Sequence, residues 1–174
     1  MAILNTPRAG RDQDGYMENL IYNMYNDENV FYKNGCGICG IGPQDIVNCF
    51  NAVRNIFAKI NPVRVHYIEL AIEKDHEEEE VVRLADRVAC QLWNHGYQSF
   101  YCVAELDDFY LISVAINSTS FVDGTAFKDN NMHYVYIRNM IKAEMPDNWE
   151  LEVAEKMLFD PSDGTGNYTH GYYA

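Results

Sequence analysis

The sequence contains no apolar run long enough to cross a membrane. A transmembrane helix needs roughly 18 to 20 consecutive, mostly apolar residues, and no segment of the 174-residue sequence approaches that length. The first fifteen residues also lack the apolar core of a secretory signal peptide. We therefore expect a cytoplasmic protein that does not associate with a membrane.

Basic residues are scarce. The sequence has 13 Lys and Arg against 26 Asp and Glu, which gives a formal net charge of −13 at pH 7. Proteins that hold DNA neutralise several phosphates with clustered Lys and Arg, and this term supplies most of their non-specific affinity. The cations that could serve here are far apart in the chain: Lys33, Arg54, Lys59, Arg64, Lys128, Arg138 and Lys142. We therefore expect DNA binding to be weak or absent.

Cysteines are few and odd in number, which argues against a disulfide framework. The five are Cys36, Cys39, Cys49, Cys90 and Cys102. In a chain without a secretory signal they are better interpreted as reduced thiols. Cys36 and Cys39 form a CxxC, but a structural zinc site needs four ligands and no second pair of Cys or His follows at a matching spacing. We interpret this CxxC as small residues in a tight, glycine-rich loop over residues 35–42, and we predict no cofactor.

The spacing of apolar residues predicts a domain that mixes helices and strands. The predicted helices cover residues 15–25, 44–60, 76–95 and 131–144. The predicted strands cover residues 64–73, 98–106 and 109–119, and the last two are joined by a short polar turn. This order indicates an α+β fold, in which helices pack on a mostly antiparallel sheet.

We expect one domain over residues 1–145 and a C-terminal extension over residues 146–174 that packs on the same domain. Hydrophobic residues make up 48% of the chain, enough for a core that needs no disulfide or metal. Within the extension, residues 150–159 predict either a strand or a helical turn, and the Gly- and Tyr-rich remainder shows no hydrophobic period.

Several segments occur in an order that is hard to obtain by chance. The first helix contains Leu20-Ile21-Tyr22-Asn23-Met24, and a small-residue loop and a second helix follow over residues 36–60. Val65-His66-Tyr67-Ile68 opens the next strand. After a long helix and a hairpin come Ile116-Asn117-Ser118-Thr119-Ser120-Phe121, then Asp123-Gly124, and a last helical stretch over residues 128–138 with Asn130, Asn131, Tyr134, Ile137 and Arg138. Over residues 16–143 this order resembles the relaxase, or plasmid mobilisation nuclease, family.

The resemblance implies a specific chemistry. A relaxase nicks one DNA strand when a tyrosine oxygen attacks a phosphodiester, while a divalent metal held by three histidines polarises the phosphate. Tyr22 corresponds to the nucleophile. His66 corresponds to one of the paired histidines that open the family's strand, and Val65 corresponds to the other.

The metal ligands of the family are missing from the matching positions. The His-x-His pair falls on Leu111 and Ser113, and the histidine before it falls on Phe109. The upstream histidine of the hairpin falls at or next to Ala104 and Glu105. Because a leucine has no lone pair to offer, the resemblance implies a degenerate member of the family without its metal site.

Tyr22 and His66 can also be explained as structural residues without a catalytic role. Tyrosine fills 13 of the 174 positions, so Tyr22 is equally well explained as a partly buried aromatic of a surface helix. A lone strand histidine such as His66 is more often a hydrogen-bonded core residue than a ligand. A replacement site of oxygen ligands is conceivable, but strand alternation points Glu69 away from the face of His66. The other candidate carboxylates are Glu105, Asp107 and Asp108.

Two functions follow as hypotheses. The first is a catalytically inactive relaxase-like protein that serves a plasmid or mobile-element mobilisation system as a binding or regulatory module, with protein partners from that system. The second is an active DNA-nicking tyrosine transesterase with a relocated metal site. The missing ligands and the acidic composition favour the first. An α+β protein that shares only its architecture with relaxases is a third interpretation.

Overall fold

A single sheet forms the centre of the structure, a computed structural model that describes residues 1–6, 15–40, 42–58, 63–127 and 131–153, with the backbone alone at 131–134. Within these residues six strands pair in the order β2-β4-β5-β3-β1-β6. The strands are β1 (Ala2–Asn5), β2 (Val30–Cys36), β3 (Val65–Glu73), β4 (Ser99–Glu105), β5 (Phe109–Asn117) and β6 (Leu151–Val153). Neighbouring strands are antiparallel except β1 and β6, which are parallel.

Helices cover both faces of this sheet. They are α1 (Tyr16–Asn26), α2 (Pro43–Ile56), α3 (Glu78–Asn94) and α4 (Asn131–Glu144). α2 begins at a proline, whose fixed φ suits a first helical position, and Asp45 Oδ2 accepts a hydrogen bond from the Gly42 N–H at 3.1 Å. α3 begins with three glutamates, which the positive end of the helix dipole favours.

The alternation of β3 divides the core in two. Ile68, Leu70 and Ile72 pack under α3 and α4, together with buried side chains of those helices such as Leu84, Val88, Leu92, Ile137 and Ile141. Val65 and Tyr67 point to the other face, where α1 and α2 bury Met17, Ile21, Ile46, Val47 and Phe50 against Phe100 and Ala115. The surface under α3 and α4 is named the α3 face, and the surface under α1 and α2 is named the α1/α2 face.

The predicted fold class is confirmed: helices pack on a mostly antiparallel sheet. The strands predicted at 64–73, 98–106 and 109–119 lie at 65–73, 99–105 and 109–117. The helix predicted over 44–60 ends at Ile56, and residues 59 and 60 lie outside the described part of the chain.

Two strands were missed by the sequence patterns. β1 has four residues, too few for a period to show. β2 is an edge strand with a bulge near its start and with Asn34 and Gly35 near its end. Its strand-forming residues are confined to Val30, Phe31 and Tyr32, a run too short to show alternation. The segment predicted at 150–159 as a strand or helical turn forms β6 at Leu151–Val153, and residues 154–174 lie outside the described residues. None of the helices in the described residues is both long and apolar enough to span a membrane.

Candidate functional site on the α1/α2 face

Tyr22 lies on α1 at the edge of the α1/α2 face. Met17, Ile21 and Met24 turn the buried side of α1 to the sheet, whereas the Tyr22 side chain is 38% exposed. Its hydroxyl donates a hydrogen bond to Gln44 Oε1 on α2 at 3.1 Å. The phenol therefore lies between the two helices and is accessible from solvent.

His66 lies on the opposite side of the sheet. It is 6% exposed, its ring is 4.8 Å from the ring of Phe127, and Nε2 is 3.0 Å from the Phe127 carbonyl oxygen. A carbonyl oxygen only accepts, so Nε2 carries the proton of this hydrogen bond. Since Phe127 belongs to the core of the α3 face, the sheet separates His66 from Tyr22. The structure does not bring the two sequence-predicted residues together.

The family's ligand positions lie on the same face as Tyr22. Leu111 and Ser113 alternate with buried residues of β5 and point to the side of Ala115, which packs under α1 and α2. Leu111 is partly exposed and Ser113 is buried. In the register, Ser113 pairs with Glu69 of β3, and Leu111 pairs with Ala71.

A network of polar side chains surrounds Ser113. Tyr67 Oη lies 2.8 Å from Glu69 Oε1 and 3.0 Å from Ser113 Oγ, and Asn5 Nδ2 donates to Glu69 Oε2 at 3.0 Å. The single Tyr67 proton goes to the carboxylate, because a hydrogen bond to a charged acceptor is the stronger one. Ser113 therefore donates to Tyr67. With Cys102, whose pKa responds to the neighbouring Ser113 hydroxyl, these residues are named the Glu69 cluster.

Burial keeps the Tyr67 hydroxyl and the Cys102 thiol protonated. Desolvation, followed by the charge of Glu69, raises the pKa of Tyr67 far above its usual value. Desolvation, followed by the charge of Asp27, raises the pKa of Cys102 to about 12. Near neutral pH both groups stay protonated, so neither supplies a nucleophile or a general base. The cluster is built as a hydrogen-bonded structural element.

Sequence patterns singled out Glu69 and Ser113 but not Asn5, Tyr67 or Cys102 as site residues. Asn5 lies in the unpredicted β1, and Cys102 looks like any small residue of a buried strand. The register that sets Glu69 opposite Ser113 depends on the pairing of β3 with β5, strands separated by α3 and β4. Local spacing carries no information on such a pairing.

The other carboxylates of the conceivable replacement site do not join Glu69. Glu105 Oε1 is 2.9 Å from Lys74 Nζ at the end of the sheet, and Asp107 and Asp108 are exposed in the turn between β4 and β5. Among the described residues, no three side chains of His, Cys, Asp or Glu lie close enough together to hold a metal ion. At the remaining family positions, Ala104 is buried and Phe109 begins β5 half-buried.

Several of the scarce cations are used inside the protein. Arg54 is 8% exposed, and its Nη1 donates to the Val63 carbonyl at 3.2 Å and to Ser118 Oγ at 3.0 Å. Lys33 Nζ donates to the Tyr25 carbonyl at 2.9 Å and lies 4.0 Å from the centre of the Tyr25 ring. Arg138 and Lys142 are exposed on α4, on the far side of the sheet from Tyr22. Lys59 and Lys128 lie outside the described residues.

The segment that resembles the family's Asn-containing motif has a structural role. Asn117 is completely buried at the end of β5, and its Nδ2 donates to the Phe50 carbonyl at 3.1 Å and to Gln98 Oε1 at 2.8 Å. These bonds tie α2 and the start of β4 to β5. The side chains of Asn131 and Tyr134, and Asn130 altogether, fall outside the described residues.

Comparison with known proteins identifies a structural neighbour. No protein-family model matches the chain, and no curated protein matches its sequence significantly. A solved structure from work on the molecular basis of vancomycin resistance transfer in Staphylococcus aureus matches with a TM-score of 0.62 and 9% sequence identity, and the match covers 88% of this chain and 97% of the other. The chain therefore shares the α+β fold of this relaxase-like structural neighbour.

Proposed function

We propose that this chain is a relaxase-like protein of a plasmid or mobile-element mobilisation system that does not nick DNA and acts as a binding or regulatory module with protein partners of that system. The fold of the structural neighbour supports the link to mobilisation. The observation that carries the inactive assignment is the Glu69 cluster, which lies where the family would place its metal ligands.

The chemistry at the ligand positions supports the proposal. Leu111 offers no lone pair, and the Ser113 hydroxyl is bound to Tyr67 at 3.0 Å. Both Glu69 oxygens accept hydrogen bonds, one from Tyr67 and one from Asn5. These hydrogen bonds would have to break before the oxygens could bind a metal ion. His66, the only histidine among the sequence-predicted site residues, lies on the other face.

The charge distribution supports the same conclusion. A relaxase has to hold single-stranded DNA closely enough to place a phosphate beside its tyrosine, which requires cations or stacked aromatic side chains along a groove. Around α1 and α2, Arg54 and Lys33 are occupied by intramolecular hydrogen bonds. We therefore expect binding to single-stranded oligonucleotides no tighter than about 10⁻⁴ to 10⁻⁶ M, the non-specific range, with a steep loss as salt is added.

A nicking assay tests the proposal. The protein is incubated with supercoiled plasmid and with labelled single-stranded oligonucleotides containing candidate origin sequences, in the presence of Mg²⁺ or Mn²⁺. We expect neither relaxed plasmid nor a denaturation-resistant protein–DNA adduct, and no difference between the native protein and a Tyr22→Phe variant. An adduct that the Tyr22→Phe variant fails to form would overturn the proposal.

The second function, an active nickase with a relocated metal, is favoured by one observation. The Tyr22 hydroxyl is exposed to solvent at the rim of the α1/α2 face, and its hydrogen-bond partner is a neutral side chain, Gln44. In the same assay this function predicts nicking that depends on both the divalent metal and Tyr22. A Tyr25→Phe variant, one helical turn away, is the matched control and should nick like the native protein under this second function.

A further inference from the structure

Two thiols meet between the sheet and α3. Cys36 is the last residue of β2 and packs at the margin of the core on the α3 face. Cys90 lies on α3 and is exposed. Cys90 is one of the neighbouring groups that raise the pKa of Cys36, so the two thiols lie beside each other. Neither residue belongs to the Glu69 cluster, which lies on the other face.

The backbone around the two thiols is held on both sides. Asp86, Cys90 and Trp93 occupy successive turns of α3 and share one side of that helix. Tyr32 of β2 donates a hydrogen bond to Asp86 Oδ1 at 3.1 Å. Gly37 lies so close to Trp93 that an added Cβ would be 2.0 Å from a ring atom. Since the chain contacts α3 both before Cys36, at Tyr32, and after it, at Gly37, the approach of Cys36 to Cys90 is fixed by the fold.

We propose that Cys36 and Cys90 are a site of reversible oxidation, at which glutathione disulfide converts the two thiols into a disulfide that joins β2 to α3. This inference does not depend on the proposed function. It also differs from the expectation for a CxxC motif, in which Cys36 would pair with Cys39.

The order of the two exchange steps follows from exposure. The exposed Cys90 thiolate attacks one sulfur of glutathione disulfide, forms a mixed disulfide and releases one glutathione. Cys36 then loses its proton to solvent, attacks the Cys90 sulfur and releases the second glutathione. Two protein thiols are oxidised by two electrons, and one glutathione disulfide is reduced to two glutathione molecules.

The environment of Cys36 determines the rate of the second step, in which Cys36 attacks the mixed disulfide on Cys90. Desolvation, followed by the neighbouring Cys90, raises the pKa of Cys36 to about 11. The contribution of Cys90 disappears once Cys90 carries glutathione, but desolvation remains and still raises the pKa of Cys36. Little Cys36 thiolate is therefore present near neutral pH, and the mixed disulfide on Cys90 accumulates before it closes. Below the pKa of Cys36, the rate of closure should increase about tenfold for each unit by which pH rises, because the thiolate is the attacking species.

The other cysteine of the CxxC is engaged elsewhere. The Cys39 N–H donates to Cys49 Sγ at 3.2 Å, and the Cys49 thiol donates to the Cys39 carbonyl at 3.3 Å. Cys39 thus lies against α2, whereas Cys36 lies against α3. These bonds hold the backbone of Cys39 against α2, and a disulfide between Cys36 and Cys39 would need the Cys36 side chain to leave α3.

Peptide mapping of the full-length protein tests the proposal. The protein is incubated with glutathione disulfide, remaining thiols are alkylated, and trypsin is added without reductant. Cleavage after Lys33, Arg54 and Arg87 places Cys36 on peptide 34–54 and Cys90 on peptide 88–128. Chymotrypsin then separates Cys90 from Cys102. We expect a Cys36–Cys90 cross-link that a phosphine reductant removes, with a melting temperature about 5–15 °C higher in the oxidised protein.

Three variants make the test decisive. Cys39→Ser is the matched control and should keep the cross-link and the rise in melting temperature. Cys90→Ser should abolish both, and Cys36→Ser should stop at a glutathione adduct on Cys90. A linkage of Cys36 to Cys39, a linkage of Cys39 to Cys49 in place of Cys36–Cys90, or full alkylation of Cys36 after oxidation would overturn the proposal.

Discussion

At the scale of single residues, the Glu69 cluster explains why this face of the sheet tolerates buried polar groups. A strand residue whose side chain faces a helix is usually apolar, and a buried hydroxyl or carboxylate is unfavourable unless it is hydrogen-bonded. Here each group has a partner: Asn5 and Tyr67 for Glu69, and Tyr67 for Ser113. The network is satisfied internally and does not require a metal to complete it.

Removal of the central hydroxyl should destabilise the protein. A Tyr67→Phe substitution keeps the ring packing but leaves Ser113 and Glu69 without their shared partner, so the free energy of unfolding should fall by about 1–3 kcal/mol. Urea unfolding followed by circular dichroism measures this loss. Tyr22→Phe, which removes an exposed hydroxyl, is the control and should change stability by less than about 0.5 kcal/mol. If Tyr67→Phe lowered the free energy of unfolding as little as Tyr22→Phe does, the hydrogen bonds of Tyr67 would contribute nothing to stability.

Alkaline pH should weaken the fold through Cys102. Its pKa is raised from 9.0 to about 12 in the folded protein. Between these values the unfolded chain has lost the proton that the folded protein retains, so stability decreases as pH rises through this window. Urea unfolding at several pH values between about 8 and 11 should show the decrease. A Cys102→Ala variant should show a shallower decrease, and an identical slope would contradict the assignment.

At the scale of elements, the end of α3 depends on one glycine. Gly96 has φ 90°, and a Cβ there would lie 2.9 Å from Ser120 Oγ. The Tyr97 N–H donates to the Leu92 carbonyl at 3.0 Å, which satisfies one of the last carbonyls of the helix.

A Gly96→Ala substitution should therefore destabilise the protein by about 1 kcal/mol or more, because alanine is strained at positive φ. Thermal unfolding gives the measurement. Gly42→Ala is the matched control, since Gly42 has φ −123° and the nearest atom to its added Cβ is 3.6 Å away. If Gly42→Ala destabilised the protein as much as Gly96→Ala, left-handed strain would not be the cause.

The elements also show what the sequence could predict. The period of apolar residues identified β3, β4, β5 and α3 because each has a long buried face. The alternation on β3 also predicted that Glu69 and His66 point to opposite faces, as they do in the structure. β1 and β2 escaped prediction because a short strand and an irregular edge strand bury too little for a period to appear. The Glu69 cluster escaped because it is assembled by pairing β1, β3, β4 and β5, which local spacing does not reveal.

At the scale of the whole molecule, the sheet separates the remnants that the resemblance to relaxases suggested. Tyr22 lies with Leu111 and Ser113 on the α1/α2 face, whereas His66 lies in the core of the α3 face. The net charge of −13 adds a field that repels a polyanion. A relaxase-like architecture is compatible with the inactive site that we propose, because an architecture does not determine the chemistry of the sites built on it.

Calorimetric titration with Mn²⁺ tests this account most directly, with Mg²⁺ and Zn²⁺ as further probes. A Glu69→Gln variant serves as the matched control, since it keeps the shape of the cluster but removes its only carboxylate. We expect no stoichiometric binding tighter than millimolar, because Leu111 cannot ligate and the other polar groups are bound to each other. The weak heat from surface carboxylates should be the same in both proteins. Stoichiometric, sub-millimolar binding in the native protein that is lost in the Glu69→Gln variant would contradict the account.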